Sequence, residues 1–210
     1  MEDILAGLEQ EKRDRIINAA IEEFASFPYD KASTNNIVKK AGISKGLLFH
    51  YFDSKQALYE KLIGFVIDTM YHATIDRIDW QETDLFERLK QLAIVKLELS
   101  RIYPHMFDFL LKMLTNKQAS KVQDIIALYK TYGIDFQQVN EDIYTRNVDY
   151  SRFSDPATVR EAINIVRWSL EKFCEEQLLQ LGTDPKQSFT EAVASMDRYM
   201  DILKKAFYHA

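Results

Sequence analysis

This sequence predicts an all-α fold, on three observations. Six glycines and four prolines are all that punctuate 210 residues. Apolar residues recur at steps of three and four along nearly the whole chain, and no stretch of useful length alternates apolar with polar as a strand would. The length suits one large domain, or a small one fused to a larger one.

The elements follow in order. Residues 13–27 carry Ile17, Ala20, Ile21 and Phe24 on one face, and Phe27-Pro28-Tyr29-Asp30 ends that helix because proline has no N–H to donate. Two short helices come next. Ser33 is placed to cap one over 34–40 that stops at Gly42, and Ser44 to cap another that runs to about Tyr51. Asp53 with Gln56 has the form of a capping box opening a longer helix over 54–74, through Leu58, Leu62, Phe65 and Met70. A helix from Thr83 carries Leu85, Leu89, Leu92 and Leu99. Tyr103-Pro104 interrupts, a segment over 107–114 follows, and a long helical stretch is expected over 120–148. Asp155-Pro156 and Asp184-Pro185 each pair an N-cap with proline at the first helical position, and Gly182 ends the first of these two helices.

Charge is unevenly spread. The chain carries −5 overall, yet residues 31–61 hold six lysines against two acids, which is +4 and leaves −9 for the remainder. A basic segment on an acidic body fits a protein that meets a polyanion at one end. The only cysteine, Cys174, excludes an internal disulfide framework and any multi-cysteine metal site, and its apolar neighbours Leu170, Phe173 and Leu178 mark it as a packing thiol. The start, Met1-Glu2-Asp3-Ile4-Leu5, lacks the basic and apolar runs of a signal peptide, and no apolar stretch reaches the ~20 residues that span a bilayer. A cytoplasmic protein with no membrane partner is expected.

The basic segment is also where the two short helices lie. Two helices joined by a turn of three or four residues can cross closely only when the turn holds glycine and the contact residues are small, a need that Ala41 and Gly42 meet. Ile37, Ala41, Ile43, Leu48 and Phe52 are spaced to form a small core against Ile17, Ile21 and Phe24. Lys45, Leu47, Phe49, His50 and Tyr51 are left on or beside the second helix, the one that enters the major groove in a helix-turn-helix. Lysine reaches guanine O6/N7 or a phosphate, and apolar groups meet the thymine methyl. Thr34, Lys55 and the turn Ser44-Lys45-Gly46 lie at helix N-termini, where free backbone N–H groups favour phosphate oxygens.

The run Thr34…Ile37…Ala41-Gly42-Ile43-Ser44-Lys45-Gly46…Phe49-His50-Tyr51-Phe52…Lys55…Leu58 closely resembles the signature of the TetR (tetracycline-repressor) family. The resemblance implies an N-terminal three-helix helix-turn-helix DNA-binding domain, here 1–53, and a larger C-terminal helical domain, here 54–210, for effector binding and dimerisation. It implies that Thr34, Ser44, Lys45, Gly46, Leu47, Phe49, His50, Tyr51 and Lys55 face DNA. Pro28 stands where the family commonly has glycine and Val38 where alanine is usual; both affect local geometry and remove no DNA-facing group.

A family member of this kind is expected to be a homodimeric regulator, most simply a repressor released from a palindromic double-stranded operator by a small, largely apolar effector. The helix over 54–74 is the natural lever between DNA and effector, since a dimer's two heads must meet grooves about 34 Å apart. Aromatic-rich positions suggest a pocket from Phe65, Tyr103, Phe107, Leu110, Tyr129, Phe136 and Trp168, with Asn164 as a polar tip. The last helix carries a wide apolar stripe, and the resemblance places the dimer interface on the helices starting at Asp155 and Asp184, with Phe173, Met196, Met200, Leu203 and Phe207 as candidates.

Enzyme chemistry finds no foothold. His50, His72, His105 and His209 show no His-x-x-x-His spacing, no glycine-rich phosphate loop is present, and neither metal nor cofactor is expected. The adjacent pairs Glu22-Glu23 and Glu175-Glu176 diverge by about 100° on a helix and read as solvated charges. The competing reading is a DNA-binding architectural or partner-binding protein on the same scaffold, its pocket filled by side chains.

Overall fold

The computed structural model describes residues 1, 5–115, 124, 126–127, 130, 135–179 and 185–209. Nine α-helices are described: α1 (Gln10–Ser26), α2 (Thr34–Ala41), α3 (Lys45–Phe52), α4 (Lys55–Ile75), α5 (Leu85–Ile102), α6 (Met106–Thr115), α7 (Phe136–Thr145), α8 (Val159–Leu179) and α9 (Pro185–Phe207). Short 3-10 turns at Tyr150–Arg152 and Pro156–Thr158 precede α8. The described residues contain no strand, only an isolated bridge between Phe153 and Tyr208. None of the described helices is long and apolar enough to cross a membrane. The chain divides into two compact units, residues 1–72 with 102–136, and residues 73–101 with 137–210. The units part within α4, not at 53/54 where the sequence suggests a functional boundary.

In the first unit α1 is central. Its apolar stripe, Ile17, Ala20, Ile21 and Phe24, shares a core with Ile37 and Ala41 of α2, Leu48 and Phe52 of α3, and Leu58 and Leu62 of α4. Helix α6 adds Met106, Phe109 and Met113. Phe24 meets Tyr59 edge-on at 4.8 Å, and Tyr59 meets Phe109 at 5.7 Å, so one aromatic chain ties α1 to α4 and α6. Lys112 Nζ donates to the carbonyl of Ala25 at 2.9 Å, placing a cation on the carbonyl end of α1.

Glu23 departs from its expected role. It is 1% exposed, not solvated, and its Oε1 accepts from the Ser33 backbone N–H at 2.8 Å and from Asn36 Nδ2 at 3.2 Å. Ser33 holds the N-cap position of α2, but its side chain makes no capping bond. The carboxylate ten residues upstream satisfies the helix start instead, where the positive end of the dipole favours it. A one-residue correction applies at α4: Ser54 Oγ accepts from Ala57 N at 3.0 Å, and Asp53, at φ +52°, turns the chain out of α3.

In the second unit the core joins Phe86, Leu89, Ala93 and Leu97 of α5, Ile143 of α7, Ala162, Val166, Leu170, Phe173 and Cys174 of α8, and Ala192, Met196 and Met200 of α9. Cys174 is buried and burial pushes its thiol up to about 11, which leaves it protonated and inert. The stretch expected to be one helix over 120–148 shows residue 135 outside helix before α7, and Asn147, at φ +58°, just after its end. Gly182 and Asp184, the expected stop and cap before α9, lie outside the described residues. Asp155 does cap, but first into a 3-10 turn, accepting from Ala157 N at 2.9 Å before α8 begins at Val159.

Two buried charges organise this unit. Arg88, fully buried, donates Nη1 to the carbonyls of Ile143 (3.0 Å) and Arg146 (2.8 Å) and Nη2 to that of Glu82 (2.5 Å). A cation thus closes the carbonyl end of α7, where the helix dipole is negative. Asp84 caps α5 through Phe86 N at 2.9 Å, and also meets Lys204 (2.9 Å), Tyr208 Oη (3.0 Å) and Arg152 (3.2 Å), fixing the end of α9 to the start of α5.

Burial alone would raise the Asp84 pKa, yet the hydrogen bonds from Lys204 and Tyr208 outweigh it and hold the carboxyl below its usual 3.8. A depressed carboxyl stabilises the fold above its unfolded pKa and loses that contribution as pH falls through the folded value. Thermal unfolding followed from pH 7 to pH 2 should therefore show wild type above Asp84→Asn at neutral pH, with the two converging below about pH 4. A gap independent of pH would contradict this assignment.

Candidate nucleic-acid interface

Local chemistry builds the α2–α3 turn. Gly42 sits at φ +65° with nothing within 4 Å of a would-be Cβ, so its backbone conformation, not crowding, calls for glycine. The N–H of Ile43 donates back to the Val38 carbonyl at 3.0 Å, as in a Schellman cap. Ser44 Oγ then accepts from Leu47 N at 3.1 Å and starts α3, so that three residues separate the two helices.

Helix α3 turns Leu48 and Phe52 inward, both almost fully buried, and leaves Lys45, Gly46 and His50 exposed, with Leu47, Phe49 and Tyr51 half-buried beside them. Lys45 Nζ lies over the Phe49 ring at 5.9 Å, one helical turn along, and His50 meets Tyr51 edge-on at 5.1 Å. At Gly46 an added Cβ would meet only Ser44 Oγ, at an ordinary 3.9 Å. The protein itself has room there for a methyl group, so this bare position gives an incoming surface close access to the first turn of α3. Thr34 is half-buried at the start of α2.

Lys55 is half-buried at the start of α4, its Nζ over the Tyr29 ring at 4.7 Å. Tyr29 stacks in turn on Phe24 and tilts against Tyr59 at 5.0 Å. Sequence reasoning named Lys55 but missed Tyr29. The ring gives the flexible ammonium a resting place while leaving its donors available.

A family model described as bacterial regulatory proteins, tetR family, matches residues 16–62, from within α1 through the first two turns of α4. Residues 16–62 thus match the TetR-family DNA-binding domain. RutR of Escherichia coli K12, an HTH-type transcriptional regulator, is 32% identical over 93 residues, covering 44% of this chain and 43% of RutR. The nucleoid occlusion factor SlmA of Marinomonas is 24% identical over 102 residues, 49% of this chain and 51% of SlmA. The chain thus spans about half the length of the curated relatives it matches. Beyond the TetR-family domain the likeness is one of fold: the ketosteroid transcriptional regulator KstR2 of Mycobacterium tuberculosis superposes with a TM-score of 0.64 at 17% identity, covering 97% of this chain and 98% of that one.

The remaining expected site residues fall in different places. Phe65 and Tyr103 pack edge-on at 5.4 Å in the core of the first unit, with Leu110 partly buried against that core and Phe107 half-buried. Tyr129 and the side chain of Phe136 lie outside the described residues. Asn164 is half-buried and accepts from Arg167 Nη2 at 3.2 Å. Trp168, expected inside a pocket, is 57% exposed on its unit, because it falls out of phase with the buried stripe Ala162, Val166, Leu170 and Phe173.

The expected dimer residues need a similar correction. Phe173, Met196 and Met200 are buried in their own unit's core, and Leu203 and Phe207 pack partly buried against it. Among the described residues, the large apolar side chains that α8 and α9 leave outward are Ile165, Trp168, Tyr199 and Ile202, between 41% and 65% exposed. A wide stripe has two edges. Counting its apolar positions did not show which edge the chain covers itself.

Proposed function

We propose that this chain is a sequence-specific DNA-binding transcriptional regulator, acting in the cytoplasm as a homodimeric repressor that a small, largely apolar effector releases from a palindromic operator. The observation that carries the reading is the outward face of α3, with a lysine, a bare glycine and a histidine exposed on an eight-residue helix whose opposite side is core. Thr34, Ser44, Lys45, Gly46, Leu47, Phe49, His50, Tyr51 and Lys55 make the contacts: α3 reads base edges, and the helix starts with Lys55 hold phosphates. The functional division is 1–53 for DNA and 54–210 for effector and dimer. Helix α4 starts at Lys55 and continues past residue 72, where the first unit ends, so it can carry a signal along the chain.

The exposed Ile165, Trp168, Tyr199 and Ile202 are the surface proposed for the two-fold contact. The architectural alternative needs no effector, and a lined groove in the second unit favours the first reading over it.

Selection from a random duplex pool at low salt tests the proposal. The expected product is a near-palindrome whose half-sites lie about one helical turn apart, or a multiple of that. A chain with no affinity for any duplex at low salt overturns it. Lys55→Ala should lower affinity about equally on selected and random duplexes and flatten the salt slope by about 0.9, the loss of one phosphate contact. An unchanged slope in a fluorescence-anisotropy salt titration removes Lys55 from the interface.

A further inference from the structure

Helix α4 opens on a lysine with an unusual partner. Among the described residues no carboxylate pairs with Lys55, whereas Lys40, in the same basic segment, is held by Glu22 at 2.6 Å. What Lys55 has instead is the face of Tyr29, its Nζ 4.7 Å from the ring centroid. Tyr29 lies in the connection between α1 and α2, so the contact joins two separate segments.

The ring is held from several sides. The Pro28 carbonyl accepts from the N–H groups of Lys31 and Ala32, both at 2.9 Å, which closes the connection into a turn. Phe24 of α1 stacks on Tyr29 with centroids 6.2 Å apart and planes 10° apart, and Tyr59 of α4 tilts against it at 5.0 Å. Both backing rings are core, 3% and 2% exposed, and Phe109 of α6 packs behind Tyr59 at 5.7 Å. Tyr29 itself stays half-buried, with its remaining surface toward Lys55 and solvent.

The choice of an aromatic ring has a physical consequence. A free lysine visits many rotamers, and a phosphate that captures it must freeze them. A carboxylate neighbour would order the side chain but take its donors and cancel its charge. A ring face orders it through the quadrupole and leaves the charge intact, with N–H donors still open to an oxygen.

We propose that Tyr29 is a positioning residue for DNA affinity: it holds the Lys55 ammonium at the start of α4, ready for a backbone phosphate, and keeps it there in the complex. Tyr29 touches no DNA in this role and acts through Lys55 alone. The inference rests on the regulator reading, which supplies the phosphate.

A double-mutant cycle tests it, with fluorescence anisotropy on the selected duplex and on a random-sequence duplex at low salt. Tyr29→Leu keeps an apolar side chain against Phe24 and Tyr59 and removes the ring face. It should weaken both duplexes by roughly two- to fivefold in the wild-type background and have no effect in the Lys55→Ala background. Tyr29→Phe, which keeps the face, should bind as wild type. Equal weakening by Tyr29→Leu in both backgrounds would make its role structural and overturn the proposal. So would unchanged or tighter binding by Tyr29→Leu, since a ring that holds the lysine back would compete with phosphate.

Should Tyr29→Leu fail to fold, the wild-type chain decides. The ε-methylene protons of Lys55, assigned by their loss in Lys55→Arg, should be shifted upfield by the ring both free and duplex-bound. An upfield shift that vanishes on adding the duplex overturns the proposal. Absence of any duplex affinity removes the regulator reading together with this inference, whereas duplex affinity without Tyr29–Lys55 coupling removes this inference alone.

Discussion

Arg88→Met should be the most damaging single substitution in the second unit, lowering stability by about 3–5 kcal/mol and the unfolding midpoint by roughly 10–20 °C. The side chain is fully buried and no carboxylate shares its hydrogen bonds; its partners are the carbonyls of Ile143, Arg146 and Glu82. Methionine matches the length and supplies no donor, so three carbonyls lose their partner, each at a cost of about 1–3 kcal/mol where water cannot replace it. The guanidinium also lies over Trp80 at 5.7 Å, beside Arg146 at 4.8 Å from the same ring, and those contacts go with it. Arg88→Lys should fall between, since a single ammonium cannot reach carbonyls on two segments with a planar fork. Thermal unfolding followed by circular dichroism measures both, and a shift of under about 3 °C for Arg88→Met would remove Arg88 as the organiser of α7.

Lys45→Ala should act in the opposite manner, leaving the fold untouched and removing specificity. The side chain is exposed on the first turn of α3 and rests on its own helix neighbour Phe49, so stability should change by no more than about 0.5 kcal/mol. Loss of a base contact costs about 1–3 kcal/mol of discrimination, a factor of roughly 5 to 150 between the selected duplex and its single-base variants. Leu47→Ala should relax preference at a different position, because a methyl contact and a hydrogen bond read different base edges. Anisotropy titrations against a panel of single-base variants measure both; undiminished discrimination in either variant excludes that residue from base reading.

These two residues differ in how much of their role the sequence exposes. Lys45 follows Ser44 and Gly42 within three positions, and the bonds that make the turn, Ile43 to Val38 and Leu47 to Ser44, close inside that short segment. Local bonds leave local signatures, so the helix-turn-helix could be read directly. Arg88 meets carbonyls 55 and 58 positions downstream, and nothing near it in the chain announces them. Glu23 was misread for a related reason. Beside Glu22 it looks like half of a solvated pair, yet Glu22 pairs with Lys40 at 2.6 Å while Glu23 is buried under the start of α2. The groove was missed because Leu92, Tyr144 and Arg167 lie on three helices and share no spacing.

By itself the sequence determined that this chain is helical, where its first helices stop and start, and which residues turn the chain between α2 and α3. Those properties are set by backbone dihedrals, caps and bonds that close within a few residues. Only the tertiary structure decided which edge of the α8–α9 stripe is core, that Trp168 lies outside, and that Arg88 closes the carbonyl end of α7. Burial and hydrogen-bond satisfaction depend on residues brought together across the chain, and periodicity gives a helix its apolar face without saying what will cover it.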